Sequence, residues 1–350
     1  MRIIRSMVAF SLAAFMAACQ RDTSTEPPAL NVGLNAVAMS CSFTSSGTTM
    51  TLNGDCTTSA SILVPNGFTL DGNGYTITGV DPVGDHFKGA VVRNDGAVAH
   101  IRNLSVTVSG LAEVCDAGAD RLRGIMLDAA SGSIIGNTVN NVRQVGSGCQ
   151  EGNSIDVRNF SQPTTTFTVE VANNTVTNWM KTGIVANGKV SVNMRNNTIG
   201  ASANQAVLAA NSIQIGFGAQ GVVRANRVSG NQWCVASDPA YFATGILVFG
   251  ADPNSPTSNP LTLDLTITQN VFTGNADVGI YTYGNGILVN NNKVFDDGNI
   301  ADCNTEFDYG IYNDLSNSSG TNTFTNNKIG GFDTPFFGGT IGSNKINPNK

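Results

Sequence analysis

Acidic and basic side chains in two neighbouring segments could together perform acid–base chemistry. Asp156 and Arg158 lie two residues apart in "SIDVRNF", and Lys181 follows 23 residues after Arg158. An elimination reaction needs little more than a base and a group that neutralises developing charge. Asp156, Arg158 and Lys181 are therefore candidate catalytic residues, with Glu151 as a further candidate. The sequence holds no complete catalytic motif, so it does not require this chemistry.

Two short patterns alternate along the chain and would position these residues. In the first, glycine or a small residue precedes an isoleucine and alternating apolar positions; the isoleucines are Ile125, Ile155, Ile184, Ile213, Ile246, Ile280 and Ile311. In the second, asparagine precedes any residue and then Val, Ile or Phe; the asparagines are Asn137, Asn174, Asn197, Asn226, Asn270, Asn292 and Asn327. Such self-similarity predicts a solenoid, in which short strands stack coil upon coil about 4.8 Å apart.

The repeated asparagine has two roles in this interpretation. Asparagine tolerates the left-handed backbone that a sharp turn needs. Its side-chain amide can also bond to the equivalent residue of the next coil, which would satisfy polar groups buried at a corner. We therefore expect an internal asparagine ladder.

Residues one and three positions after each isoleucine should point outward, since strand side chains alternate. The outward positions carry charges at one end of the sheet and aromatic rings at the other. Sugar rings offer an apolar face to aromatics and hydroxyls to charged groups, so this strip suits an elongated glycan. The candidate substrate-binding residues are Asp128, Asp156, Arg158, Phe249, Tyr281, Tyr283 and Tyr312.

Structural interpretations of the same strip stay open. Asp128 and Arg158 occupy equivalent places in neighbouring coils and could form a surface ion pair of small energetic effect. Aromatic residues are good strand formers and could stack between coils for stability alone. The function hypotheses are accordingly an exported protein that binds an extracellular polysaccharide, a polysaccharide lyase or glycoside hydrolase, or a structural or adhesive surface protein without activity.

The segment "TLDGNGYTITG", from Thr69 to Gly79, resembles an early coil of the right-handed parallel β-helix proteins, the pectate-lyase-like superfamily. The resemblance covers about residues 60 to 345 and implies an all-β, single-domain right-handed parallel β-helix. It implies no single function, because lyases, hydrolases, epimerases, tailspikes and adhesins share this fold. A β-sandwich of short strands is the alternative, but it has no reason to repeat the asparagine pattern.

The polygalacturonase branch of that superfamily is the nearest catalytic comparison. In that branch an Asp precedes Gly-Ile and a Gly-His-Gly lies nearby. Here Gly152-Asn153-Ser154 precedes Ile155, and the chain has no Gly-His-Gly. Asp156 follows the isoleucine as that branch's second acid does, but the partner acid is missing.

The first residues resemble a bacterial lipoprotein signal. Arg2 and Arg5 precede an apolar stretch that ends in small residues before Cys19. The resemblance implies a signal peptide at 1–18, lipidation of Cys19, and outer-membrane or cell-surface localisation, since Gln20 follows the cysteine. Residues 19–38 would be a flexible tether. An ordinary secretory signal is the alternative.

Six further cysteines allow three disulfides in an exported protein. Cys41 and Cys56 flank a Ser/Thr/Gly-rich hairpin, which predicts a stapled cap over residues 39–60 and a β-helix over 61–350. Sequence alone permits fifteen connectivities. The other four cysteines precede isoleucine strands and enter one sheet from the same side, so we predict the pairs Cys115–Cys149 and Cys234–Cys303.

Composition limits the partners. The net charge is −6, and loss of Arg2 and Arg5 with the signal would remove two positive charges. This balance argues against nucleic acid, which needs a basic face. No cysteine–histidine spacing suggests zinc, and no Walker loop or dinucleotide fingerprint is present. We expect no metal, no cofactor, a monomer, and membrane attachment only through the lipid anchor.

Overall fold

The chain is a parallel β-helix in the computed structural model, which describes residues 41–144, 148–200, 208–235, 241–250, 260–274, 276–296, 307–316 and 322–347. The described regular structure consists of strands and one 3₁₀ turn at Gly118–Asp120. The first half of the strands are β1 Phe43–Ser46, β2 Thr49–Leu52, β3 Cys56–Thr58, β4 Ile62–Pro65, β5 Phe68–Asp71, β6 Thr76–Gly79, β7 Ala90–Asp95, β8 Val98–Arg102, β9 Ser105–Val108, β10 Arg123–Asp128, β11 Ser131–Ile135, β12 Thr138–Asn140, β13 Asn153–Asn159, β14 Phe167–Ala172, β15 Thr175–Thr177 and β16 Thr182–Gly188. The second half are β17 Val190–Arg195, β18 Thr198–Ile199, β19 Asn211–Gly216, β20 Gln220–Arg224, β21 Arg227–Val228, β22 Thr244–Phe249, β23 Leu265–Thr268, β24 Val271–Thr273, β25 Val278–Thr282, β26 Leu288–Asn290, β27 Lys293–Phe295, β28 Tyr309–Asn313, β29 Thr323–Thr325, β30 Lys328–Gly330, β31 Thr334–Phe337 and β32 Lys345–Asn347.

Each coil contributes one strand to each of three sheets. The isoleucine sheet contains every third strand from β4 to β31, and the asparagine sheet contains every third strand from β3 to β30 and then β32. The middle sheet begins with β1 and β2 and then takes every third strand from β5 to β29. All strand pairs are parallel except β1 with β2. The predicted all-β solenoid fold is confirmed.

The seven repeated isoleucines form one column inside the isoleucine sheet. Ile125 pairs with Ile155, and the register continues through the remaining isoleucines to Ile311. All are fully buried in one core cluster that runs the length of the described helix. Stacking of like residues, as the sequence predicted, therefore assembles distant segments into one sheet.

The asparagine ladder forms as predicted. In each coil the side-chain Nδ2 donates to the Oδ1 of the next asparagine at 2.8–3.0 Å, and the backbone N–H donates to the same oxygen. Each Nδ2 also donates to a backbone carbonyl of the middle sheet, such as that of Val223 for Asn270. Asn344 extends the ladder one coil beyond the sequence pattern. The buried amides are thus satisfied from both sides.

The left-handed residue of each turn is not the ladder asparagine, which corrects the sequence-based interpretation. The residue before it has positive φ, as in Asn173, Asn196 and Asn291 with φ of 57°, 55° and 55°. The ladder asparagine itself is thereby aimed inward along the axis. In each Asn-Asn pair, the first asparagine therefore adopts the left-handed conformation of the turn, and the second makes the hydrogen bonds of the ladder.

The ends of the helix are closed in different ways. At the start, the β1–β2 hairpin caps the middle sheet, and a disulfide joins Cys41 to Cys56 at the start of β3. At the other end, the sequence predicts that Phe332, Pro335, Phe336 and Phe337 plug the core. Phe332 lies in the core and Phe336 packs against it, but Phe337 points away from it and is 46% exposed.

Candidate functional site

Two successive residues in each strand of the isoleucine sheet point inward, and this determines which residues face outward. The register is the same on both sides of the residue before the isoleucine, since Arg123 pairs with Asn153 and Ile125 with Ile155. A Cβ at Gly124 would meet Val139 of the core, which shows that this position points inward together with the isoleucine. The outward side of the sheet, here called the outer face, therefore has three columns instead of the two that the sequence predicted.

The added column begins with charged and polar residues and ends with apolar ones. Its members in successive coils are Arg123, Asn153, Thr182, Asn211, Thr244, Val278 and Tyr309. The glycines of the repeat were the signal that could have revealed it. A glycine at this position indicates an inward site too crowded for a side chain.

Most of the outer face is buried, so the expectation of an exposed strip is wrong. Asp156 is 3% exposed, Arg158 6%, Phe249 9% and Tyr281 2%, and Tyr283 is equally enclosed. Asp128 and Tyr312 retain partial exposure. The reason is that long connections beside the face pack onto it: Phe217, Phe242 and other loop residues join the outward aromatics in a second apolar cluster.

Two ion pairs dominate the charged end. Arg123 donates from Nε to Asp156 Oδ2 at 2.5 Å, and Arg158 Nε lies 3.3 Å from Asp128 Oδ2. The Arg158 guanidinium also lies 5.7 Å from the centre of the Phe160 ring. The Asp128–Arg158 pair that the sequence allowed is therefore present, but it is more enclosed than a surface pair.

Arg93 extends the charged end by one coil and was missed in the sequence. It pairs in register with Met126, which pairs in turn with Asp156, so Arg93 lies two coils before Asp156. Its Nε has no hydrogen-bond partner among the described residues, and the side chain is partly exposed. Val92 replaces the isoleucine in that coil, so the sequence pattern stopped short of it. The positive charge of Arg93 acts on the Asp128 carboxylate as a smaller contribution that lowers its pKa, so the two groups lie within electrostatic range of each other.

Burial raises the pKa of Asp128 above its ordinary value. The neighbouring Arg158 opposes this shift, and the Asp156 carboxylate adds to it. Asp128 therefore holds a proton more readily than an exposed aspartate, while one edge of its side chain still reaches solvent.

Lys181 and Glu151 do not converge with Asp156. The Lys181 Nζ donates to the Ala209 carbonyl at 2.8 Å. Lys181 lies four positions before the residue that pairs with Asp156, which is roughly 10 Å or more along the strand. Glu151 accepts hydrogen bonds from the backbone amides of Asp116 and Leu122. Asp156 and Arg158 therefore lie close together on the outer face, whereas Lys181 and Glu151 are engaged in contacts with the backbone of other segments.

The connection over 109–122 forms a fixed wall beside the charged end. The predicted disulfide between Cys115 and Cys149 is present. Arg123 donates to the carbonyls of Arg121 and Gly118, at 2.7 and 3.1 Å. Glu151 holds the same connection through its hydrogen bonds from the backbone amides of Asp116 and Leu122. The wall therefore covers Arg123 and Asp156.

His86 also reaches this wall, from the preceding connection. Its Nε2 lies 2.9 Å from Asp116 Oδ2, and its Nδ1 lies 3.0 Å from Asp85 Oδ1. The Asp81 carboxylate accepts hydrogen bonds from the backbone N–H groups of Phe87 and Ala112. The polar loop over 81–86 is therefore a structural tie between two connections.

The structure describes only one cysteine of the third predicted disulfide, Cys234–Cys303. Cys234 is disulfide-bonded. Cys303, which we predicted as its partner, lies outside the described residues. That pairing stays a prediction.

The aromatic end consists of two stacks that run along the helix axis. In one, Tyr281 stacks on Tyr312 at 5.3 Å between ring centres, and Tyr312 stacks on Phe337 at 4.8 Å. In the other, Phe249 stacks on Tyr283 at 5.4 Å. The stacking that the sequence offered as a structural interpretation is therefore present. The first stack begins buried at Tyr281 and ends at the exposed Phe337.

A carboxylate lies at the side of the first stack. The Tyr281 hydroxyl donates to Asp314 Oδ2 at 2.6 Å, and Ser316 donates to Asp314 Oδ1 from both its backbone N–H and its hydroxyl. Burial, with the nearby Asp314 charge, raises the pKa of Tyr281 well above its ordinary value and that of Tyr312 to about 12. Both phenols therefore stay neutral donors at physiological pH.

Metal ligands do not cluster in the part of the chain that the structure describes. No group of three or more His, Cys, Asp or Glu side chains is placed there to hold an ion. Over the same ranges, no helix has the length and apolar character needed to cross a membrane. The segments expected to hold the signal, Cys19 and the tether lie outside the described residues.

Comparison with known families agrees with this geometry. The family described as the right handed beta helix region matches residues 123–329, which is more than half of the chain. The chain belongs to the right-handed β-helix family. The matched range of this β-helix begins at Arg123, the first residue of β10, and ends at Ile329 in β30.

Among solved structures, the β-helix is similar to the Dettilon tailspike protein (gp208). The two share 15% sequence identity with a TM-score of 0.49, and the match covers 80% of this chain and 55% of the tailspike chain. This chain therefore corresponds to about half of that protein. No curated protein matches it.

Proposed function

We propose that this β-helix is an exported surface protein that binds an extracellular polysaccharide at the accessible ends of its outer face. The observation that carries the proposal is the first aromatic stack. Its outermost rings, Tyr312 and Phe337, reach solvent while the Asp314 carboxylate lies at their side. A flat apolar ring beside a fixed acceptor is the combination that binds a sugar face and its hydroxyls.

The buried part of the strip supports this site instead of touching the ligand. Tyr281 packs beneath Tyr312 and fixes Asp314 through its hydroxyl. The Ser316 hydroxyl holds the second carboxylate oxygen at 2.6 Å. The binding groups are therefore oriented before a ligand arrives, which reduces the entropic cost of binding.

Glycan-array binding tests the proposal with Tyr312→Ala and Phe337→Ala, singly and together. We expect the double variant to lose about tenfold or more in affinity for the glycan that the wild type binds. Tyr75→Ala is the matched control, because Tyr75 is also a surface aromatic, at 37% exposure. Unchanged binding by the double variant would contradict the proposal, and absence of any glycan ligand would favour the structural or adhesive alternative.

Export and anchoring are part of the same proposal. They rest on the resemblance of residues 1–18 to a lipoprotein signal and on Cys19. Mass spectrometry of the purified membrane form should find a lipidated Cys19 at the mature N-terminus. A mature chain that begins at another residue would refute the anchor but leave glycan binding untouched.

A glycoside hydrolase or polysaccharide lyase is the second candidate, and one observation favours it. Asp128 has a raised pKa, partial exposure, and the guanidinium groups of Arg158 and Arg93 nearby. Such a carboxyl could donate a proton to a leaving group. Release of reducing ends or of unsaturated products from uronic-acid polymers, lost in Asp128→Asn, would support catalysis. Full activity in that variant would exclude Asp128.

A further inference from the structure

A column of lysines lies on the outward side of the asparagine sheet. Lys293 in β27 pairs in register with Lys328 in β30, and Lys328 pairs with Lys345 in β32. All three are exposed. Because neighbouring strands lie about 4.8 Å apart, the three ammonium groups are presented at one-coil intervals along the helix axis. Arg227, exposed two coils before Lys293, continues the same line.

Acidic residues are missing from the outward positions of this sheet. Its outward residues alternate with buried ones, and in the strands from β6 to β32 they are Thr76, Thr78, Ser105, Thr107, Thr138, Asn140, Thr175, Thr177, Thr198, Arg227, Val271, Thr273, Lys293, Phe295, Lys328, Lys345 and Asn347. None is a carboxylate, although the whole chain has net charge −6. No ion pair to these lysines is present in the described part of the chain. Among the described residues, the column is therefore a basic patch without ion-pair partners on a protein of net negative charge.

Fold stability does not explain the column. Like charges directly opposite each other on neighbouring strands repel, and the exposed lysines bury little apolar surface in return. The equivalent positions of earlier coils are threonines, such as Thr175 and Thr198, which suit the strand without this repulsion. The lysines therefore point to an anionic partner.

An aromatic ring lies beside the column. Phe295 is the next outward residue after Lys293 and is partly exposed. A Cβ at Gly330 would lie 3.1–3.2 Å from the Phe295 ring, so the ring extends over the glycine of the next coil. A ring that lies along the sheet next to regularly spaced cations fits a chain of sugar rings with acidic substituents.

We propose that this lysine column and Phe295 bind a linear acidic polysaccharide that runs along the helix axis. Successive anionic groups of the polymer would contact Lys293, Lys328 and Lys345, and one ring would rest on Phe295. The site lies on a different sheet from the aromatic stack of the proposed function. It holds its ligand by repeated charge contacts, so binding should weaken steeply as salt rises.

Titration with polygalacturonate and dextran sulfate, with neutral dextran as a reference, tests the proposal. We expect the wild type to bind one or both anionic polymers and not dextran. The triple variant Lys293→Gln, Lys328→Gln, Lys345→Gln should lose at least tenfold in affinity, and the slope of log K against log salt should fall in magnitude by about two to three. The triple arginine variant should retain binding, and Phe295→Ala should weaken it at unchanged salt slope.

The controls separate this site from the proposed one. Lys189→Gln removes an exposed lysine outside the column and should change nothing. Tyr312→Ala with Phe337→Ala should leave polyanion binding intact, whereas the lysine variants should leave the array glycan of the outer face bound. Unchanged binding in the triple glutamine variant overturns the proposal. So does the absence of binding to either polymer, or binding only to anionic vesicles.

Discussion

At the scale of single residues, buried asparagines supply the hydrogen bonds that backbone groups at the corners of the coil need. Each ladder asparagine lies at a corner where backbone groups would otherwise lack partners. Asn226 donates from Nδ2 to Asn270 Oδ1 at 2.9 Å and to the Met194 carbonyl at 3.2 Å. A polar residue is therefore as necessary to the interior as an isoleucine. A buried amide without a partner loses more free energy by desolvation than one hydrogen bond contributes to stability.

Substitution in the ladder should be costly. Asn270→Ala removes the acceptor of two Asn226 donors and the donor to the Val223 carbonyl. We expect a loss of about 3 kcal/mol in the free energy of unfolding, measured by urea denaturation. Thr198→Ala, at an exposed position of the same sheet, is the control and should change stability by less than about 0.5 kcal/mol. A similar loss in both variants would show that the ladder adds nothing.

The raised pKa of Tyr312 makes stability depend on alkaline pH. Its pKa of about 12 lies above the ordinary 10.0, so the unfolded chain releases this proton first. The contribution of protonated Tyr312 to the free energy of unfolding is complete below pH 10. It is lost as the pH rises toward 12. With allowance for solvent screening, we expect a loss of about 1 kcal/mol across that interval.

Urea midpoints at pH 9 and pH 11 measure this effect. The urea midpoint of the wild type should fall at the higher pH, and that of Tyr312→Phe should fall less. An equal fall in the two proteins would mean that Tyr312 ionises as freely in the folded chain as in the unfolded one.

At the scale of elements, the glycine before the isoleucine determines how each strand of the isoleucine sheet presents its side chains. At Gly245 an added Cβ would meet Phe272 of the neighbouring asparagine sheet and the Gly279 carbonyl. Two successive inward positions leave the residue before the glycine on the outer face, and for this reason Arg123 reaches Asp156. A backbone irregularity thus adds a third column to the candidate site.

The same crowding predicts the effect of a methyl group. Gly245→Ala should destabilise the protein by roughly 2 kcal/mol or more, because the added methyl group would overlap the buried Phe272 ring and the Gly279 carbonyl. Gly54→Ala is the matched control, since nothing lies within 4 Å of its added Cβ. Thermal unfolding of both variants checks the prediction, and an unchanged stability of Gly245→Ala would show that the strand can relax around the methyl group.

At the scale of the whole molecule, a solenoid has ends that a closed sheet lacks. The hairpin cap covers the start of the middle sheet, where β2 pairs with β5, and β3 covers β6. Without this cap the edges of β5 and β6 would be free to pair with other chains. The Cys41–Cys56 disulfide closes a 15-residue loop, which corresponds to about 3 kcal/mol of stabilisation.

Removal of the Cys41–Cys56 disulfide and removal of the Cys115–Cys149 disulfide should therefore have different effects. Cys41→Ser with Cys56→Ser should lower the temperature at which light scattering begins, because the frayed cap exposes strand edges. Cys115→Ser with Cys149→Ser should leave that temperature near the wild-type value and instead make the 109–122 wall sensitive to limited proteolysis. The same aggregation onset in both variants would contradict the capping role of the hairpin.

The coil could be predicted from the amino-acid sequence, because the repeat depends only on strand alternation and on the stacking of like residues. Alternation placed Ile125 and its equivalents inward, and the period of the asparagines placed each amide over the next. It also indicated the Cys115–Cys149 bond, since both cysteines precede isoleucine strands. These inferences rest on strand periodicity and stacking, which short segments already contain.

The exposure of the outward residues could not be predicted in this way and is seen only in the folded chain. Alternation correctly separated Tyr281 and Asp156 from the core, yet it could not show that the connections pack over them. Nor could it show that Lys181 donates to a carbonyl while the Arg93 Nε has no hydrogen-bond partner among the described residues. Loop packing depends on contacts between segments far apart in sequence and has no period, so the repeat carries no information about it.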